Sequence, residues 1–465
     1  MSDSLPSVLV LGAGPAGLFA ALRAAELGAN TTIVTDGEFG GMAANDGPVP
    51  VRTLAHAARL IREARQLPDY GIQVGSPELD YQELLLRVRN VIGEVREHSS
   101  LRRQIDAAGA RILENAGRCR FVDAKTVESP SGERFSADKI IICTGGEARR
   151  PDVPGAELLA THSDAWALTG APPSMIVIGG GATGLQVASI FATFGTKIEL
   201  FETGPRLLRT EDEDVATAVT EGFRERGIVI HEGLESIEGF EPAEAGIKMH
   251  YSGSSGAHSS AASVAVSAIG WRVDAEALNL SAAGVETDDR GYVRVDEHGR
   301  TSAPNIYGAG DVTGGTMLAP QAMHDGFIAA SAALGFPELA TARHLVPIGS
   351  FTDPEYARVG LGEPDARRRA HVTSVSVPFK EATRAIIDGR TFGFCKLIAD
   401  RSTRQIVGCS VVGDRAVDIV QVAAVAMAAE MRVDRLAYFP LSFPTYAGIL
   451  SLAAAKLTYV MNRSE

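Results

Sequence analysis

Cysteine is scarce in this 465-residue chain, and its four copies stand at 119, 143, 395 and 409 with no CxxC or CxxxxC pair among them. That spacing argues against a disulfide framework and against a zinc site, and it makes a reducing cytoplasm the expected setting. Positive charge is also in short supply. Lys and Arg number 44 against 57 Asp and Glu, a formal net charge of −13. Neither nucleic acid nor an anionic membrane is drawn to such a surface. No basic segment precedes the apolar run Val8-Leu9-Val10-Leu11, which therefore reads as a strand and not as a signal peptide. The run 174–196 carries no charged residue, yet a glycine triplet and Gln186 interrupt it. A buried strand and helix are expected there, and no membrane insertion.

What the chain does have is apolar mass and glycine. Hydrophobic residues make up 45% and charged residues 22%, an ordinary globular composition, and the length calls for two or three domains. Two glycine-rich turns organise it. The first, Gly12-Ala13-Gly14-Pro15-Ala16-Gly17, follows Val8-Leu9-Val10-Leu11. The second, Gly179-Gly180-Gly181-Ala182-Thr183-Gly184, follows Met175-Ile176-Val177-Ile178. Strand, tight turn and helix start together aim backbone N–H groups and a helix dipole at a pyrophosphate. Two such turns predict two dinucleotides, the arrangement for passing a hydride from one cofactor to another.

The expected fold class is α/β, with two Rossmann-like dinucleotide-binding domains and a C-terminal α+β domain. Helices are expected over 17–27, 53–66, 81–108 and 418–431, and strands over 8–11, 31–35, 139–145 and 197–202. The Ser/Gly/Ala-rich stretch 252–263 reads as a surface turn between strands.

The first turn has further support as an FAD site. Thr144-Gly145 closes a strand where the chain would pass the cofactor. Asp311, after Gly310, is placed to accept a hydrogen bond from a ribityl hydroxyl. Met317-Leu318-Ala319-Pro320 opens a helix whose N–H groups would stabilise negative charge on the flavin ring.

With these segments in this order, the chain resembles the pyridine nucleotide-disulfide oxidoreductase family, whose members include dihydrolipoamide dehydrogenase, glutathione reductase and mercuric reductase. The resemblance covers essentially the whole length, including 301–311 and a C-terminal part from Phe351-Thr352-Asp353-Pro354-Glu355 onward that is similar to the family's dimerisation domain. It implies an FAD domain over 1–155 and 270–340, a nicotinamide-nucleotide domain over 156–269, a dimerisation domain over 345–465, and a homodimer.

The departures from the family bear on chemistry. In Gly40-Gly41-Met42-Ala43-Ala44-Asn45-Asp46-Gly47-Pro48-Val49-Pro50-Val51-Arg52, Ala43 and Pro48 stand in the slots of the family's two cysteines. Gly40, Gly41, Asn45, Gly47 and Pro50 keep its framework. In Phe443-Pro444-Thr445-Tyr446-Ala447-Gly448, Phe443 stands for the family's histidine and Gly448 for its glutamate. Thiol chemistry needs both a sulfur and a proton partner, so disulfide reduction is not expected.

Arg52 and Gln186 take the slots of a lysine–glutamate pair near the reactive flavin nitrogen; either Arg52 faces the flavin or it points to solvent or a phosphate. Gly41, Met42 and Arg52 join the expected FAD contacts on the same basis. Thr35 stands in the slot of the ribose-binding acid, which leaves Asp36 as the candidate ligand.

At the second turn Glu202 ends the following strand, where a carboxylate accepts from the adenosine ribose and repels a 2′-phosphate. The nearest arginine is Arg206, and Gly270 closes the site, so NAD(H) is favoured over NADP(H). His324 reads as a flavin neighbour or a helix-packing residue, and Cys143 as a small core residue. Phe443 and Tyr446 read as a stacking platform or as interface packing. No metal site is expected.

The function this composes is an FAD-dependent NAD(P)H oxidoreductase that passes electrons directly to a small-molecule acceptor: a quinone, a dye or dioxygen. The alternatives are a flavin-dependent dehydrogenase with NAD⁺ as final acceptor, and a catalytically degenerate flavin-binding scaffold or sensor.

Overall fold

The computed structural model describes residues 5–244, 246–336 and 343–463. The chain divides into two compact units. One comprises Met1–Leu54, Asp80–Arg149 and Trp271–Thr341; the other comprises Ala55–Leu79, Arg150–Gly270 and Ala342–Glu465.

The first unit is built on a five-stranded parallel sheet in the order Ile306–Gly308, Lys139–Ile142, Ser7–Leu11, Asn30–Val34, Arg111–Leu113. Its inner strands are apolar on both faces, as a parallel sheet covered on both sides requires. Val8, Val10 and Ile141 pack with Leu18, Ala20, Ala322 and Ala329 of the helices Pro15–Glu26 and Ala319–Ala333. Leu9, Leu11, Ile140 and Ile142 face the opposite way, onto Phe121 and Val127 of a small antiparallel sheet. The two helices touch through glycine: a Cβ at Gly326 would lie 2.0 Å from the Ala16 carbonyl oxygen.

The second unit holds a four-stranded parallel sheet, Val229–Glu232, Lys197–Glu202, Ser174–Ile178, Val264–Ser267. A three-stranded antiparallel meander packs on it through Ile176, Ile178, Phe201, Phe240 and Met249. It also holds a five-stranded antiparallel sheet, Ile348–Ser350, Tyr356–Gly360, Ile406–Val412, Phe394–Asp400, Val372–Pro378. The helices Ala416–Ala428 and Gly448–Arg463 share a core with that sheet through Ile419, Val420, Ile449, Leu450 and Leu457.

Several expected elements differ in detail. The helix expected over 81–108 is two helices, Tyr81–Glu97 and Ser100–Ala107, because the Ser99 side chain caps the second by accepting from the Arg102 N–H. The helix expected from 53 begins at Pro48, where proline suits a first turn. Of the stretch 252–263 only residues 254 and 255 form the turn between strands. Gly256–Ala262 is a strand paired along its length with Gly246–Gly253, and small polar residues are tolerated there because this outer strand is largely exposed. The uncharged run at 174–196 is a strand and the helix Ala182–Thr193, and no helix among the described residues is long and apolar enough to cross a membrane.

Candidate functional site

The two glycine turns have the same stereochemistry. Gly12 has φ +105° and Gly179 φ +109°; a Cβ on either would lie 2.4 Å from a carbonyl oxygen of the neighbouring strand end, Cys143 in one and Ala268 in the other. Only glycine takes that conformation in that space. At the third glycine, Cβ atoms on Gly17 and Gly184 would lie 1.9 and 2.0 Å from the Gly12 and Gly179 carbonyl oxygens. The middle glycines differ from these. A Cβ on Gly14 or Gly181 would meet no atom within 4 Å. Each is the N-cap of a helix, Pro15–Glu26 or Ala182–Thr193, that no side chain caps. Each turn is thus an open cradle at the positive end of a helix, suited to a pyrophosphate. Pro15, Ala16, Ala182 and Thr183 form the first turns of those helices.

Around the first cradle, Gly310 and Asp311 form a short 3₁₀ turn after Ile306–Gly308. Among the described residues no hydrogen bond reaches the Asp311 carboxylate. Burial, with the Asp325 carboxylate nearby, raises its pKa above the usual carboxylate range. A mostly buried acceptor with no donor fits a ligand hydroxyl. Leu318 is the N-cap of Ala319–Ala333, after Met317 at φ +55°, and that helix has neither a side-chain cap nor an acid in its first turn. Thr144 is exposed and Gly145 has φ +74°. Asp36 is half exposed, its carboxylate 3.5 Å from Arg118 Nε; Arg118 also pairs with Glu147 at 2.5 Å. Thr35 beside it is buried. These features fit FAD at the first turn: an open cradle, an uncapped helix and an unpartnered Asp311.

The segment 40–52 lies against this cradle. Gly40 N–H donates to the Ala13 carbonyl at 2.9 Å, and a Cβ on Gly41 would lie 2.7 Å from the Gly14 Cα. The short helix Gly41–Asn45 closes on the Met42 carbonyl, which accepts from the Asp46 and Gly47 N–H groups. Asn45 donates to the Phe39 carbonyl at 3.2 Å and accepts from Arg96 Nε at 2.6 Å; Arg96 also pairs with Glu38. Ala43 is half-buried, while Pro48 and Arg52 are exposed. The Arg96 clamp was not foreseen, because nothing in sequence links position 96 to position 45.

At the second cradle Glu202 is the last residue of Lys197–Glu202. Its carboxylate accepts from the Gly180 N–H at 2.8 Å and from the Gly204 N–H at 2.6 Å. Arg206 turns inward, donating to the carbonyls of Leu207, Leu208 and Glu211 at 3.2, 2.7 and 2.7 Å. Those contacts occupy the nearest arginine within its own loop. Gln186 sits on Ala182–Thr193 and donates to the Ala182 carbonyl at 3.3 Å. Gly270 has φ +102°.

Towards the C-terminus, Phe443 is 81% exposed, whereas Tyr446 is half-buried and donates its hydroxyl to Asp388 Oδ2 at 3.0 Å. Gly448 begins the last helix. His324 is half-buried on Ala319–Ala333, and Cys143 is a buried member of the first unit's core. All four cysteines are buried free thiols, and the first stands only at position 119.

Comparison with known proteins places these features in context. Residues 6–326 match the family described as pyridine nucleotide-disulphide oxidoreductase, and residues 346–454 match that family's dimerisation domain. The mercuric reductase of Lysinibacillus sphaericus is 31% identical over 96% of this chain and 82% of its own. The dihydrolipoyl dehydrogenase of Chlorobaculum tepidum is 32% identical over 89% of this chain and 88% of its own. Among solved structures, LpdA from Mycobacterium tuberculosis superposes with a TM-score of 0.89 at 26% identity, covering 97% of this chain and 100% of that one.

Proposed function

For a chain that belongs to the pyridine nucleotide-disulphide oxidoreductase family, whose members bind FAD and NAD(P)H, we propose an NADH-preferring oxidoreductase that delivers electrons to a non-disulfide acceptor. One observation carries this reading: both dinucleotide cradles are intact, while no cysteine lies anywhere in residues 1–118. A thiolate relay beside the first cradle would need one.

Bound FAD supplies the redox chemistry, taking electrons from the nicotinamide and yielding them to a quinone, a dye or dioxygen. The protein's part is binding and orientation. Gly12, Gly14 and Gly17 bring backbone N–H groups to the pyrophosphate, and Asp311 accepts a ribityl hydroxyl. Asp36, held by Arg118, is the ribose acceptor in place of Thr35. Arg52 and Gln186 are the candidates to face the reacting ring, Arg52 with a permanent positive charge. Gly179, Gly181 and Gly184 hold the second pyrophosphate, and Glu202 accepts from its ribose hydroxyls.

The domains are those bounded at 155, 270 and 345, and the chain works as a homodimer through 345–465, where the exposed Phe443 offers an apolar contact. Four buried thiols suit a reducing cytoplasm.

The test is anaerobic mixing of the purified yellow protein with NADH. Bleaching of the flavin, followed by reoxidation on adding a quinone, supports the reading. A flavin that NADH leaves oxidised overturns it. Bleaching by a small organic substrate, with electrons then passed to NAD⁺, would reverse the direction of flow.

A further inference from the structure

Glu202 is set in place by a longer chain of contacts than its own strand provides. The Gly180 carbonyl accepts from the Leu208 N–H at 2.9 Å, so the loop after Glu202 folds back onto the glycine turn. Leu207 and Leu208 are buried. The Leu208 carbonyl in turn accepts from the Glu211 N–H at 2.9 Å, and Arg206 bridges the same turn.

From there the contacts pass to the antiparallel sheet. The buried Glu211 carboxylate pairs with Arg358 Nε at 2.9 Å, on the strand Tyr356–Gly360. Asp212 pairs with Lys396 Nζ at 2.5 Å, on Phe394–Asp400, and Asp214 pairs with it at 2.7 Å. Asp212 also accepts from the Glu363 N–H at 3.0 Å. Lys396 is 3% exposed. Burial works against its charge, but the hydrogen bonds it donates to Asp212 and Asp214 outweigh it and hold the ammonium above its ordinary pKa. With Glu363 Oε2 at 3.7 Å, the buried lysine faces three carboxylates and fixes geometry, since its partners cannot shift to water without leaving it uncompensated.

We propose that Arg358 and Lys396 are positioning residues for the nicotinamide nucleotide: they pin residues 211–214, and through the 204–211 turn they fix the Glu202 carboxylate against Gly180. The inference rests on reading the second glycine turn as the nucleotide site.

The experiment uses the full-length FAD-loaded protein and three readouts: KM and kcat for NADH, calorimetric Kd for NAD⁺, and quinone reoxidation of dithionite-reduced flavin. Arg358→Gln is the main variant, Arg358→Lys its conservative partner, and Lys396→Met the second disruption. A shift of contact geometry of under an ångström should raise KM and Kd about tenfold. The variant kcat at saturating NADH and the reoxidation rate should stay within about twofold, because neither reads nucleotide affinity. Arg358→Lys should recover most of the affinity. In a Glu202→Ala background Arg358→Gln should add almost nothing, since the two act in series.

Native Kd in a folded Arg358→Gln protein would overturn the inference, as would equal losses in all three readouts or full additivity with Glu202→Ala. If Lys396→Met does not fold, Arg358→Gln decides alone. Failure of the native protein to bind NAD⁺ would instead remove the underlying site, and the inference with it.

Discussion

Glu202 and Gly180 are joined by a 2.8 Å hydrogen bond from the glycine N–H to the carboxylate Oε2, while Oε1 takes the Gly204 N–H at 2.6 Å. Each oxygen keeps a lone pair, enough to accept from a vicinal ribose diol while still holding the loop. The same carboxylate repels a 2′-phosphate, and Arg206, the arginine nearest in sequence, is turned into its own loop.

NADH should therefore reduce the flavin faster than NADPH at equal concentration. Glu202→Ala should raise KM for NADH by about tenfold or more, one lost charge-assisted hydrogen bond, and shrink the NADH preference. Glu202→Gln should also lose affinity, because its amide nitrogen must face one of two N–H donors. Stopped-flow reduction with both nucleotides checks this, and a native preference for NADPH would refute the assignment.

Asp311 should govern FAD retention. Its unpartnered, mostly buried carboxylate is an acceptor waiting for a donor, and such a bond contributes about 1.5–3 kcal/mol when one partner is charged. Asp311→Ala should weaken FAD binding by about tenfold to a hundredfold on that basis. Fluorescence of released FAD on dilution measures it; unchanged retention would place the ribityl chain elsewhere.

With no cysteine in the segment 40–52, anaerobic reduction should stop at two electrons per subunit and give no thiolate charge-transfer band. Lipoamide, glutathione disulfide and mercuric ion should be turned over at background rates. Ala43→Cys with Pro48→Cys should not restore disulfide reduction, because proton transfer at the Phe443 and Gly448 positions is still missing. Native uptake of four electrons would contradict the reading.

Glu355 gives a pH-dependent prediction. Burial, aided by the neighbouring Asp414 carboxylate and opposed by Arg59, pushes its pKa up to about 7. A raised carboxylate pKa means that the folded state binds more protons than the unfolded one. The stability it contributes is present below about pH 4.5 and is lost as pH rises through 7, on the order of 3 kcal/mol in all. Glu355→Gln should therefore gain on the native protein in melting temperature between pH 5 and pH 8. A constant difference across that range would show that Glu355 is not buried as described.

Much of this is legible in the amino-acid sequence. The glycine turns declare themselves because positive φ at Gly12 and Gly179, and the lack of room for a Cβ at these two and at Gly17 and Gly184, admit no other residue. Buried parallel strands declare themselves as apolar runs. The strand Gly256–Ala262 did not, since an exposed outer strand needs no hydrophobic alternation and its Ser, Gly and Ala read as a turn. Nor did the ion pairs of Arg96, Arg358 and Lys396, each joining residues distant in sequence. Charge alone names no partner. The bracing role of Arg206 was also not legible, since its partners are backbone carbonyls of its own loop.

The clamp on Asn45 has a consequence for how this segment can change over time. Arg96, Asn45 and the Met42 carbonyl hold the backbone of 40–47 without help from the side chains at 43 and 48. Both positions ride on a rigid mount, position 48 also serving as the first residue of the helix Pro48–Gln66. A lineage can exchange what they carry, or an engineer can install a different functional group, without having to rebuild the loop that presents it.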